Sequence, residues 1–379
     1  MNRTSGAHPR WISTRLAAVA ASAVIVGTAL TACTSDAPLG DTALATTGTM
    51  THAELSGQFV GAGASTQQSA MEAWIALFQE QHVAASVIYD PNGSGAGRTQ
   101  FLSGGALWAG TDAVLTEAEL ETATLRCGPR GAIDLPVYIS PIAITFNLEG
   151  IETLNLSPEV IASIFTAGIT RWNDPAIAVD NPGVQLPDLA ITPVHRTDNS
   201  GTTANFAEYL SVTAPEIWVW EPTGTWPLSG GESAQGTSGV VNVVNSTPGA
   251  ITYADFSQVG VLGTANILVA GNWVPISAEA AAAAIEASPQ TGGGSEYGLA
   301  IAIDRDPTTP GVYPLVLVSY VVACLHYDDP QEALFITEFL GWIASADGQE
   351  LAAQVAGSAP ISAATRDRIA RSLAAITFG

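Results

Sequence analysis

Val194-His195-Arg196-Thr197-Asp198-Asn199-Ser200-Gly201-Thr202-Thr203 reads as a strand end running into the start of a helix. Phe206 opens an apolar stripe with Tyr209 and Leu210, three and four residues on, which is the spacing of one helix face and makes Ser200-Gly201-Thr202 the first turn. A helix start carries unpaired N–H groups and a partial positive charge, so an anion is stabilised there without a further cation. Gly201 lets the backbone approach closely, Ser200 and Thr202 each offer a hydroxyl, and Arg196 adds a forked positive charge. These are the parts of an oxyanion cradle. On this stretch alone a plainer reading stands beside it, with Ser200 capping a helix and Arg196 paired with Asp198 at a surface.

Similar turns recur upstream. Residues 59–79 read as strand, tight turn and helix, with Gly61-Ala62-Gly63-Ala64-Ser65-Thr66 as the turn and Met71, Trp74, Ile75 and Phe78 as a core stripe. Residues 87–89 form a short strand that leads into Asn92-Gly93-Ser94-Gly95-Ala96-Gly97, which opens a helix carrying Phe101 and Leu102. Residues 109–115 read as a strand end followed by an acidic turn at Asp112. Two long apolar runs, 135–146 and 313–325, suit strands that cross between domains. Helices at 158–165 and 278–287 alternate with strands at 191–195 and 250–253, and helices at 331–343 and 348–355 close the chain. This alternation predicts α/β layers, in which ligands sit where strand ends meet helix starts.

Composition narrows the function. The first residues hold Arg3, Arg10 and Arg15 and no acid, followed by an apolar stretch at 16–30, so residues 1–32 read as a secretory signal. That stretch is shorter than the ~20 apolar residues a spanning helix needs. Leu30-Thr31-Ala32-Cys33 resembles the bacterial lipobox, which would place a lipid on Cys33; the alternative is a chance cysteine near an ordinary cleavage site. Residues 33–57 read as a flexible tether, leaving enough chain for two domains. All 12 basic residues are Arg; with the three in the signal removed, nine stand against 35 acids, a mature charge near −26. Nucleic acid is an unsuited partner, and an anion site must rely on short-range hydrogen bonds and local dipoles. Cys127 and Cys324 are either an exported disulfide or two buried thiols. No zinc-type spacing links the five His and the cysteines, so neither a metal nor a cofactor is expected.

If the turns converge, they form one shell. It comprises Ser65 with Thr66, Ser94 with the backbone of Gly95 and Ala96, Asp112, and Arg196 with Ser200, Gly201 and Thr202. Neutral donors dominate, which fits a dehydrated tetrahedral oxyanion. A carboxylate beside such an anion is repelled unless the anion carries a proton for it to accept. The protonated forms of phosphate do near neutral pH and sulfate does not, so Asp112 would separate the two. Asp198 would orient Arg196, or else be an exposed turn acid. Gly93 to Gly97 lacks the form of a nucleotide P-loop.

These stretches, in this order, resemble the phosphate-binding proteins of bacterial ABC transporters: 61–65, 89–97, 109–113, Leu156-Ser157-Pro158 through Phe165, Ile169-Thr170-Arg171-Trp172-Asn173-Asp174-Pro175, 195–203, Trp226-Pro227, 248–253 and Gly348-Gln349. The resemblance covers the chain from Phe59 onward. It implies a type II-like periplasmic-binding-protein fold, with two α/β lobes (58–140 plus 315–379, and 141–314) joined by crossover strands and closing on phosphate. It carries the ligand role to Ser65, Thr66, Ser94, Asp112, Arg196, Ser200, Gly201 and Thr202. Gln67 stands where some members have proline, and Asn199 where many have glycine. The implied partners are inorganic phosphate, the permease subunits and, through the anchor, the outer face of a Gram-positive cell membrane, for a protein acting as a monomer. An extracytoplasmic phosphatase is the weaker alternative: no Ser–His–acid grouping is evident, and His195, next to Arg196 on a strand, should point away from the site. The same fold serving arsenate or a sensing role is a third reading.

Overall fold

Ala132–Phe146 and Val316–Cys324 are buried along their whole lengths, as continuous apolar strands covered on both faces must be. They pair antiparallel and form the middle of one sheet. The computed structural model describes residues 54–293 and 296–379. The signal at 1–32, the lipid site at Cys33 and most of the 33–57 tether lie outside those residues.

The sheet runs in the order Ala85–Asp90, Gly57–Gly63, Trp108–Thr111, Val316–Cys324, Ala132–Phe146, Ala250–Asp255, Thr192–Arg196, Glu232–Ala234. Its two halves share the Ala132–Phe146 strand. From Ala132 to Pro141 that strand pairs with Val316–Cys324; from Ile142 to Phe146 it pairs with Ala250–Asp255. Pro141, which has no N–H to give a ladder, sits where the partner changes. The register against Val316–Cys324 also shifts between Ser319 and Tyr320, and such irregularities commonly re-aim side chains beside functional sites.

Helices at Pro158–Phe165 and Ala278–Ala287 fall where the sequence places them. Glu117–Cys127 and Gly236–Ser246 are further helices that the reading did not single out. One turn is also misplaced by it: Gly61, Ala62 and Gly63 are still strand, and the turn begins only at Ala64. Packing explains the glycine there, since a Cβ on Gly61 would come within 2.1 Å of the Trp108 ring. Cys127 and Cys324 are bonded, with Cα atoms 5.1 Å apart, which settles the alternative left open by the sequence.

The Ala278–Ala287 helix and the Gly298–Ile301 strand lie against Ala132–Phe146. Ser372 near the C-terminus donates to the Tyr297 carbonyl at 2.8 Å. This part of the 141–314 segment thus rests on elements of the 58–140 plus 315–379 group. Among the described residues, no helix is long and apolar enough to cross a membrane.

Candidate oxyanion site

The glycine-rich turns meet because glycine lets backbones approach. Gly93 adopts φ +104° just before the Ser94–Ser103 helix and donates to the Gly63 carbonyl at 2.8 Å. A Cβ on Gly97 would fall 2.3 Å from the Gly63 Cα. This closeness sets Ser94 beside Asp112, whose N–H donates to Ser94 Oγ at 3.2 Å. From the other half of the sheet comes the Gly201–Thr213 helix: a Cβ on Gly201 would lie 2.3 Å from Asp112 Cβ and 2.8 Å from Ser94 Oγ. Ser65, Thr66, Ser94, Asp112, Arg196, Ser200, Gly201 and Thr202 are all buried.

Asp112 is held by hydroxyls. Thr66 Oγ1 donates to its Oδ1 at 2.7 Å and Ser319 Oγ to the same atom at 2.6 Å. Burial raises the Asp112 pKa above the ordinary carboxylate value; bonds from Ser319 and Thr66, the Arg196 charge and Ser94 offset only part of that. Ser319 in turn accepts from Gln67 Nε2 at 2.7 Å, and Gln67 also donates to the Tyr320 carbonyl at 2.9 Å. Gln67, the departure from proline, thus has a task of its own.

Arg196 lies inside the protein rather than at a surface. Its Nε donates to Asp198 Oδ1 at 2.8 Å and its Nη2 to Oδ2, a two-pronged pair whose side chains are 2% and 11% exposed. Asp198 also accepts from the Gly236 N–H at 3.1 Å. Burial pushes the Asp198 pKa up, but the bonds and charge of Arg196 outweigh it and hold the carboxyl low. The pairing in the plainer reading is therefore real, and buried.

Ser200 caps its helix by accepting from the Thr203 N–H at 3.3 Å, which leaves the hydroxyl hydrogen able to donate elsewhere. Thr202 Oγ1 is buried and has no hydrogen-bond partner among the described residues. A buried orphan hydroxyl calls for a reason. His195 is turned away as expected: its ring stacks on Trp226 with centroids 5.2 Å apart, and Nδ1 lies 3.1 Å from the Arg196 carbonyl.

The expectation for Gly95 needs correcting. Its N–H goes to the Asn199 carbonyl at 3.1 Å, across to the other half of the site, and is not free for an anion. Asn199 is used here through its backbone, so a side chain at that position is compatible with the turn. Ala96 lies half-buried in the first turn of the same helix.

A family model described as the PBP superfamily domain matches residues 48–347. Phosphate-binding protein PstS2 of Mycobacterium bovis is 35% identical over 321 residues, covering 83% of this chain and 86% of that protein. The chain belongs to the PstS family of phosphate-binding proteins. Phosphate-binding protein PstS 3 of Mycobacterium leprae is 36% identical over 282 residues, or 73% of this chain and 76% of the relative. The fold agrees with a solved high affinity periplasmic phosphate-binding protein bound with phosphate, at TM-score 0.66 and 21% identity over 83% of this chain and 93% of that one. The chain thus has the type II-like binding-protein fold common to that family.

Two polar residues of this PstS-family site escaped the sequence reading. Ser319 is the one serine in the Val316–Cys324 strand, whose other residues are apolar or aromatic, a visible signal. Thr237 Oγ1 lies 3.0 Å from Ser65 Oγ and 3.5 Å from Arg196 Nη1, and its N–H donates to Ser65 Oγ at 3.1 Å. Gly236-Thr237-Ser238-Gly239 has the same glycine and hydroxyl character as the other helix starts.

Proposed function

We propose that this protein binds inorganic phosphate outside the cell and delivers it to an ABC permease for import. One observation carries the reading. A buried carboxylate, Asp112, stands beside helix starts, a buried guanidinium and an orphan hydroxyl, so the site offers many donors and one acceptor. Monohydrogen phosphate matches that set, with oxygens that accept and one proton to give to Asp112. Sulfate has no proton to give, and its oxygen would face the carboxylate lone pairs.

In this reading Ser65, Ser94, Arg196, Ser200, Gly201 and Thr202 donate, Thr66 does so through its backbone N–H because its hydroxyl is given to Asp112, Asp112 accepts, and Asp198 fixes the Arg196 fork. The lobes 58–140 plus 315–379 and 141–314 close on the anion because each contributes contacts to it. A lipid on Cys33 would hold the protein at the outer membrane face, as a monomer within reach of the permease. Binding without turnover is supported by His195, the histidine next to the site, whose ring is stacked on Trp226 rather than set against a site hydroxyl.

Ligand-stripped protein titrated with phosphate tests this through the fluorescence of its tryptophans. Saturable binding at micromolar or lower concentration is expected, and a folded protein that shows none would remove the transport reading.

A further inference from the structure

Asn205, one turn into the Gly201–Thr213 helix, uses both edges of its amide. Its Nδ2 donates to the Gly201 carbonyl at 3.0 Å and to the Asp112 carbonyl at 3.1 Å. Its Oδ1 accepts from Arg305 Nη2. Arg305 can only donate, so it fixes the amide with the oxygen towards itself and the NH2 group towards the two carbonyls. Arg305 is itself pinned: it donates to the carbonyls of Pro314 at 3.0 Å and Val316 at 2.7 Å, and from Nε and Nη2 to Glu208 Oε2 at 2.9 and 2.7 Å.

The two bonds from Nδ2 differ in kind. That to Gly201 lies within one helix. That to Asp112 spans the site, because Asp112 follows the Trp108–Thr111 strand while the Asn205 helix packs chiefly on Ala250–Asp255 in the other half of the sheet, with a smaller contact to Val316–Cys324. Parting the halves would break the second bond and leave the first intact. A cavity of about 340 Å³ lined by Asp112, Asn205, Glu208, Arg305 and Tyr320 runs alongside, so water can take up the released groups.

We propose that Asn205 is a closure latch, aimed by Arg305, that sets how long the closed site holds its anion. It is a positioning residue and does not touch the ligand. This rests on the phosphate-binding reading for its kinetic consequence, though not for the latch itself. Encounter occurs with the site open, and a latch made in the free protein only withdraws molecules from that state, so its loss should leave association no slower than in the parent. One net hydrogen bond lost from the closed state should raise the dissociation rate roughly three- to tenfold.

Stopped-flow binding of phosphate to the full mature chain, with Asn205→Ala and Asn205→Asp, tests it. The aspartate keeps the Arg305 partner, so the fold is retained, but turns an oxygen to both carbonyls. Faster dissociation in both variants is expected, with the alanine's association no slower and its exclusion of sulfate unchanged. Hydrogen exchange in ligand-free protein gives a second reading: amides at 111–114 and 201–205 should exchange faster in both variants. Unchanged dissociation and exchange in a folded variant, or an effect confined to the association rate, would overturn the latch. Failure of the parent protein to bind phosphate would count against the transport reading instead, and the exchange measurement would still decide on Asn205.

Discussion

Ser319 and Asp112 meet across two strands of the sheet, Oγ to Oδ1 at 2.6 Å, at the point where the register of the Val316–Cys324 strand shifts. Since Thr66 donates to the same oxygen, Oδ1 is supplied twice while Oδ2 is turned towards the start of the Gly201 helix, where a Cβ would lie 2.9 Å from it. The carboxylate is thus oriented by the fold itself. That is the arrangement a selective acceptor needs, because its geometry is paid for in the fold rather than at binding.

Gly201→Ala should prevent closure. The added methyl would meet Asp112 Cβ at 2.3 Å and Ser94 Oγ at 2.8 Å, so the helix must retreat from the other half of the site. Phosphate affinity should fall roughly ten- to hundredfold with little change in thermal midpoint, as read by calorimetry on the folded variant.

Thr202→Val separates function from stability. It removes a buried hydroxyl that lacks a partner among the described residues, so the ligand-free variant should melt at the same temperature or higher. Phosphate binding, by losing a bond to a charged ligand, should weaken by roughly tenfold or more. A drop in melting temperature with unchanged affinity would mean that the hydroxyl serves the fold.

Acid should stabilise the protein through Asp255. Burial pushes this carboxyl up to about 7, against pulls from Ser257 and Ser140 and a further push from Asp112. Its folded value lies above the ordinary 3.8, so its stabilising share is full below that pH and is lost as pH rises through about 7. The melting temperature should rise between pH 8 and pH 5, and Asp255→Asn should flatten the rise. The same trend in the variant would assign it to relief of the general negative charge.

Reduction of Cys127–Cys324 should cost stability without removing the site. The bond closes a loop over a sequence separation of 197, for which chain entropy allows at most about 5 kcal/mol. Thermal melts of the Cys127→Ser, Cys324→Ser double variant should show a midpoint lower by several degrees, with phosphate still bound.

Much of this architecture is visible in the residues. The continuous apolar runs at 135–146 and 313–325 mark the central strands, because only strands buried on both faces lack a polar alternation. Three hydroxyl-bearing turns and one acidic turn predict a shell whose members the fold brings close together. What escaped has identifiable causes. Gly236–Ser246 carries Val240, Val241, Val243 and Val244, whose branching favours strands, and it is helical because Val240, Val241 and Val244 are buried against the sheet. Glu117–Cys127 begins with a complete capping box from Thr116 to Glu119, a readable signal. Ser319 stands out as a serine in an apolar run, but its role, like that of Asn205, follows only from which strand and helix face Asp112, and that is tertiary information.

The most direct test of the central claim is calorimetric titration of stripped protein with phosphate and with sulfate, for the parent chain and Asp112→Asn. The parent should bind phosphate tightly and give no sulfate heat, while the variant, with a donor where the acceptor stood, should bind phosphate more weakly and admit sulfate. Equal exclusion of sulfate by parent and variant would contradict the account and place the discrimination elsewhere in the site.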